Sequence, residues 1–229
     1  MTPPSWLVAI ARLVVTLAVP ILLVVSPLYL FISPAYVRFQ YRREGFPPSS
    51  RFTPQERQRL SDVLVNYLRG RATYEEMAGA RTDTGEVALR AKEVQHMVDV
   101  KRVTDTFFVA HVVAVAMLFI GGGILWRSSS LAGLAFALRW GVWVTGGLIA
   151  LVLLSSIADF SSFFTRFHQL FFSAGSWLFY EEDTLIQLYP LVFWGDTVLL
   201  LGITILLETG ILYALTIWLA RAGGGKIGA

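Results

Sequence analysis

Four stretches of this chain stay apolar for about 20 residues or more, and a soluble domain of 229 residues has no core able to bury them all. They are residues 6–33, 104–126, 131–157 and 191–220. In helical conformation about 20 residues cross the roughly 30 Å hydrocarbon layer of a bilayer. A helix also satisfies every backbone N–H and C=O within its own segment, as lipid demands. The composition agrees: 55% of the residues are hydrophobic and only 15% are charged. The fold class expected is therefore an α-helical polytopic membrane protein with four transmembrane helices. The first stretch is longer than the apolar core of a signal peptide, and no A-x-A site follows it, so it reads as an uncleaved anchor. Arg12 lies near enough to its start to snorkel to the interface.

The connections between these stretches are unequal. Residues 34–103 form a small, mainly helical extramembrane domain. Thr53, Pro54 and Glu56 spell a capping box with proline at the first helical position. Leu60, Val63, Leu64, Tyr67 and Leu68 follow at helical spacing, and Gly70 supplies the stop. A second helix starts near Tyr74, and Gly85 before "EVALR" suggests a small hairpin or strand. From Ala91 the pattern is helical again and runs into the second span. "RSSS", residues 127–130, forces spans two and three into an antiparallel pair. Residues 158–190 are aromatic, amphipathic and too polar to cross, which predicts one or two short helices at the interface. Two spans separate the large connections, so both emerge on the same membrane face. Most of the 19 lysines and arginines sit in the 34–103 domain, but a loop of that length escapes the positive-inside rule. Arg127, Arg221 and Lys226 mark the opposite face only weakly, so the sequence leaves the orientation open.

Several chemistries are excluded early. With no cysteine there are no disulfides, thiolate metal sites or Cys-linked acyl-enzymes. Three histidines without a tight acidic cluster make no persuasive metal site, and no cofactor is expected. A net charge of +3 with no nucleic-acid-binding signature sets nucleic acid aside.

What remains is polar chemistry in apolar surroundings. "TRFHQLFFSAGSW", residues 165–177, embeds His168 and Arg166 among phenylalanines, where an ionisable group costs free energy unless it is paired or used. "KEVQHMVDVKR" holds Glu93, His96 and Asp99 three residues apart, on one side of a helix. A carboxylate so placed could fix one imidazole nitrogen and leave the other for proton transfer. Loop parity brings His96 and His168 to one membrane face, where they could form an acid/base pair. The plain alternative is an ion-paired surface histidine at 96 and an interfacial one at 168.

The two segments together, "EVQHMVDVK" and "FHQLFFSAGSWLFYEEDTLIQLYPLVFWGD", resemble the integral-membrane family that includes lipoprotein intramolecular transacylase, Lit. The resemblance covers nearly the whole chain: four spans, a domain after the first, an H-M-x-D-V segment and a later F-H-x-x-F-F…W…L-I…P…F-W segment. It implies an acyltransferase that moves the sn-2 ester acyl chain of an S-diacylglyceryl-cysteine lipoprotein onto the cysteine's α-amino nitrogen, giving the lyso-form. It also implies a catalytic dyad of His96 and His168, a bacterial cell-membrane location and an active site at the extracytoplasmic face. The partners implied are a diacylated lipoprotein and membrane lipids, with the protein acting as a monomer. The rival reading is a non-catalytic lipid- or lipoprotein-binding membrane protein, which would tolerate loss of either histidine.

Other polar residues carry secondary expectations. Glu93, Asp99, Arg166, Trp177 and Asp183 are candidates for orienting the dyad or holding substrate; Trp177, Trp194 and Tyr189 could line an acyl groove, the plain alternative being an ordinary interfacial aromatic belt. His111, inside span two, reads as a buried, hydrogen-bonded histidine rather than a third catalytic group. Arg139 and Glu208 fall at similar depths in antiparallel spans, and mutual pairing is an economical way to keep both in lipid.

Overall fold

The computed structural model describes residues 3–129 and 131–224, so Ser130 and Lys226 lie outside the described residues. In chain order the helices are α1 (Ser5–Val25), α2 (Leu28–Phe31), α3 (Pro34–Tyr41), α4 (Pro54–Leu68), α5 (Tyr74–Ala78), α6 (Ala91–Ser129), α7 (Leu131–Ala158), α8 (Phe160–Phe171), α9 (Thr184–Leu188) and α10 (Leu191–Gly224). Four segments are long and apolar enough to cross a membrane: Ser5–Phe31, Ala91–Ser128, Ala132–Ala158 and Leu191–Arg221. The chain divides into two compact units.

The first unit combines α1 with residues 107–154 and the chain from 201 onward. Its packing rests on small residues that let backbones approach, as helix association in lipid requires. Ala11, Val15, Ala18 and Val19 make the buried stripe of α1. A Cβ on Gly141 of α7 would stand 2.5 Å from the Val19 Cβ, and one on Gly121 of α6 would stand 2.9 Å from a Val15 methyl. At the same crossing Thr16 donates its hydroxyl to the Ala137 carbonyl at 3.1 Å. Gly202 of α10 meets Leu153 in the same way, at 2.5 Å. The opposite faces carry exposed Leu17, Phe119, Ile120, Leu151 and Ile211, the surface that lipid covers.

The expected Arg139–Glu208 ion pair does not form. Glu208 instead accepts the Ser26 hydroxyl at 2.9 Å. Ser26 is the C-cap of α1, and its hydroxyl there competes successfully for the carboxyl. Arg139 Nε is buried without a hydrogen-bond partner. The two side chains find different surroundings: Glu208 meets the end of α1, and Arg139 does not reach it. Removing the two groups together, as Arg139→Gln with Glu208→Gln, should therefore destabilise by the sum of the single effects within about 0.5 kcal/mol. Thermal unfolding of the four proteins in one detergent measures it, and a coupling above about 1 kcal/mol would restore the pair.

The second unit combines residues 28–106 and 155–200, so both large connections belong to it. In α4, Thr53 accepts the Glu56 N–H at 3.2 Å, half of the expected capping box. The other half is lost because the Glu56 carboxylate takes the backbone N–H of Asp83 at 2.7 Å. The full reciprocal box occurs one helix later, between Thr73 and Glu76 at the start of α5. Gly70 ends α4 with φ of +70°, a conformation a side chain would strain. The segment around Gly85 closes as an antiparallel Arg81–Val87 bridge rather than a strand. Leu60, Leu64, Met77, Met97, Leu185 and Leu188 meet in the core, joining α4, α5, α6 and α9. Buried Arg57 secures this side, donating to the carbonyls of Pro47 and Leu188 and lying over the rings of Tyr41 and Phe46.

Candidate active site

The helix carrying His96 is too long to be membrane throughout. At 39 residues, α6 runs about 58 Å, nearly twice the hydrocarbon thickness. Its charged first turns, through Lys101, Arg102 and Asp105, belong with the second unit, and the crossing begins after them. His96 lies in this outer part.

The start of α6 is clamped to α9. Glu93 is 1% exposed and accepts two backbone N–H groups, from Arg90 at 2.8 Å and from Leu185 at 2.7 Å. Asp183, also buried, pairs with Arg90 and accepts the Tyr180 N–H at 2.8 Å. Thr184 donates its hydroxyl to the Ala88 carbonyl, and Lys92 donates to the Leu178 carbonyl while lying over the Phe179 ring. These bonds hold the 178–188 segment beside the first two turns of α6.

His168 is set by α8. Asp159 caps that helix by accepting the N–H and hydroxyl of Ser162. Phenylalanines at 160, 163, 164, 167 and 171 form its aromatic side. His168 Nδ1 lies 2.8 Å from the Phe164 carbonyl oxygen. A carbonyl can only accept, so Nδ1 carries the hydrogen and Nε2 keeps its lone pair. The rings of Phe164 and Trp177 flank the imidazole, with centroids at 4.0 and 4.9 Å.

The two imidazoles come together across 72 residues of sequence. Their centroids are 6.3 Å apart with the rings 23° from parallel. His96 is 9% exposed and sits edge-on to Phe172 and Phe179, at 4.9 and 5.3 Å. Burial pushes the His96 pKa down to about 4; His168 and Lys92 add to this and Asp99 opposes it. Burial also lowers the His168 pKa, against the raising effect of its bond to Phe164. Both shifts favour the neutral imidazole, and the two rings lie among the aromatic side chains of Phe164, Phe172, Trp177 and Phe179.

The other candidates fall in different places. Neither Glu93 nor Asp99 orients the His96 ring. Glu93 is spent on backbone N–H groups, while Asp99 pairs with Arg102 at 2.9 Å and accepts from Gln95 at 3.2 Å. Asp183 serves the clamp through Arg90. Arg166 is exposed on α8, in the field of Asp159. Trp177 alone among these five packs on a histidine of the pair. Tyr189 is occupied with Ser61 at 2.8 Å, and Trp194 lies 6.3 Å from Phe164. His111 belongs to the first unit and is only half-buried, not buried as expected, because its side of α6 is not fully covered by neighbouring helices. Arg90 and Lys92, which fasten the clamp, were missed: two basic residues flanking a helix start carry no signal of their partners. No group of three or more His, Cys, Asp or Glu side chains placed to hold a metal occurs among the described residues.

Comparison with known proteins gives a consistent result. The family model for lipoprotein intramolecular transacylase Lit matches residues 11–194, which include both histidines of the pair. An uncharacterised protein of Aquifex aeolicus (strain VF5) is 30% identical over 184 residues, covering 77% of this chain and 82% of that one. Among solved structures, the membrane-integral lipoprotein intramolecular transacylase Lit of Bacillus cereus superposes with a TM-score of 0.70 at 20% identity, covering 96% of this chain and 98% of that chain. A form of the same Bacillus cereus protein with one histidine changed to alanine gives a TM-score of 0.67 at 20% identity over 94% of each chain. At these identities the structural likeness establishes the fold.

Proposed function

We propose, from the premise that this chain belongs to the lipoprotein intramolecular transacylase Lit family, that it moves the sn-2 O-acyl chain of an S-diacylglyceryl-cysteine lipoprotein onto that cysteine's own α-amino nitrogen. The protein is a multi-pass membrane enzyme and a transferase. The single observation that carries the finer reading is the pair of imidazoles, His96 and His168, with centroids 6.3 Å apart among aromatic rings.

Donor ester and acceptor amine belong to one substrate molecule, so positioning supplies much of the rate. The reaction needs a proton acceptor for the attacking amine and a proton donor for the leaving glyceryl oxygen. His168 suits the first role, because its Nδ1–H is committed to Phe164 and its Nε2 lone pair is free. After accepting the amine proton it can return it to the leaving alkoxide. His96, with buried Nδ1 unpartnered, stands beside it to relay or share that proton. A lowered imidazole pKa keeps both groups in the base form. An exposed solvent base would instead have to compete with water for the same amine. This reading takes the lipidated N-terminus of the substrate to stand at the outer leaflet and assigns the site to the extracytoplasmic face. The enzyme works there as a monomer.

Product and substrate are isomers, because the acyl chain only changes its attachment from oxygen to nitrogen. Intact mass cannot register the reaction. Mild alkaline hydrolysis removes ester-linked chains and spares an amide, so tandem mass spectrometry of a lipoprotein's N-terminal peptide provides the test. Expression in a host lacking N-acylation should leave one base-stable chain on the cysteine. A peptide stripped of every chain by base would favour the binding-protein reading.

A further inference from the structure

The Trp177 indole N–H is buried and has no hydrogen-bond partner among the described residues. An indole nitrogen only donates, so an acceptor must come from outside the chain. Buried orphan donors are rare in folded proteins and call for an explanation. This one occurs beside the reacting groups: the Trp177 ring centroid is 4.9 Å from that of His168, tilted by 35°. The position is built. Gly175 turns the chain with φ of +78°, Ser176 donates its N–H and hydroxyl to the Ser173 carbonyl, and Lys92 holds the carbonyl of Leu178 immediately after the tryptophan.

Most other nearby N–H groups are already committed, and His96, whose neutral ring carries one N–H, is assigned above to sharing the amine proton. His168 Nδ1–H is committed to Phe164. Phe164, Phe172 and Phe179 offer rings only, and Lys92 is engaged with Leu178. Acyl transfer nevertheless requires a donor, because the ester carbonyl oxygen becomes an oxyanion in an apolar pocket, where such a charge is costly unless met by a fixed dipole.

We propose that Trp177 Nε1–H is the oxyanion donor of this site. The amine nitrogen attacks the ester carbonyl carbon and a C–N bond forms. The carbonyl π pair moves onto oxygen, which accepts the hydrogen bond from Trp177, while His168 Nε2 takes a proton from the nitrogen. The oxygen pair then returns, the bond from carbon to the glyceryl oxygen breaks, and that oxygen takes the proton from the His168 imidazolium. Ester and amine become alcohol and amide, with no other reactant. The assignment rests on the transacylase reading above.

The test is steady-state turnover of a diacylglyceryl-cysteine lipopeptide in detergent micelles by the wild-type protein and two variants. Trp177→Phe keeps an aromatic ring and removes the N–H. Replacing the same residue with β-(3-benzothienyl)alanine keeps the bicyclic shape, so it separates the donor from the packing. Both variants should lose about 10²–10³-fold in kcat with KM little changed, the signature of a bond made in the transition state. A benzothienyl protein within about threefold of wild-type kcat overturns the assignment, as does a raised KM at unchanged kcat. If Trp177→Phe fails to fold, the benzothienyl protein decides alone. A folded wild-type protein that leaves the lipopeptide unconverted overturns the transacylase reading itself, and the assignment with it.

Discussion

His168→Ala should remain folded and lose transacylation by about 10²–10⁴-fold, the usual contribution of a positioned acid/base group. His96→Ala should do the same. The reasoning separates stability from rate. The hydrogen bond that His168 makes is to the carbonyl one turn back in its own helix, so alanine breaks no tertiary bond there. The carbonyl it frees is already engaged within the helix or can bind water. His96 Nδ1 has no partner to orphan. Burying neutral imidazoles with lowered proton affinity is not a device that favours the folded state, since such a ring holds its proton less well than in water. Removal of either should shift thermal unfolding by a few degrees at most. The alkaline-resistant acyl chain should vanish on the laboratory timescale in both variants. If either protein acylates at the wild-type rate, proton transfer through the pair is wrong. If both unfold, the rings are structural, and the aromatic contacts around them would then be their purpose.

The sequence revealed those elements whose cause is local or set by the solvent. The four crossings follow from the bilayer, which no distribution of polar residues can mimic. The α4 and α5 starts follow from capping, where a hydroxyl and an N–H three residues apart suffice. The histidine pair was legible because loop parity and two motifs agreed, although nothing local connects residues 96 and 168. What stayed hidden is where each polar atom spends its hydrogen bonds. Spacing places Glu93 and Asp99 beside His96 on one helix, but it says nothing of a buried backbone N–H at Leu185 that outbids the ring. Glu56 shows the same effect on a smaller scale: the spacing is right and the carboxylate is drawn to Asp83. Glu208 was lost to Ser26 for that reason too. Trp177 was legible as a candidate for holding substrate but not as a donor, because an unpartnered N–H is visible only once every possible acceptor has been located.

Glu93→Ala should be the most damaging single change to the fold of the second unit, costing roughly 3–5 kcal/mol. Its two oxygens answer two backbone donors, and the Leu185 N–H lies in the core, where an unanswered donor costs about 1–3 kcal/mol. The alanine also leaves unfilled volume at a 1% exposed position beside Leu185. Burial raises the Glu93 pKa despite its two N–H donors, so desolvation outweighs them. The carboxylate is therefore a costly clamp, but one whose removal orphans its partners. Glu93→Gln tests this at constant volume. Its carbonyl oxygen can accept one N–H, while its NH₂ faces the other donor and cannot accept, so about half the loss should remain. Taking roughly 2–4 °C per kcal/mol for a chain of this size, alanine should lower the midpoint by about 10 °C and glutamine by about half as much. Thermal unfolding in detergent measures both, alongside kcat at a temperature where each variant is folded. The clamp predicts a lost midpoint with kcat largely kept below it, since Glu93 does not touch either imidazole. Orientation of His96 by Glu93, the expectation from spacing, predicts the reverse: a wild-type midpoint with kcat reduced in Glu93→Gln. That second pattern would overturn the clamp and return the carboxylate to the catalytic pair.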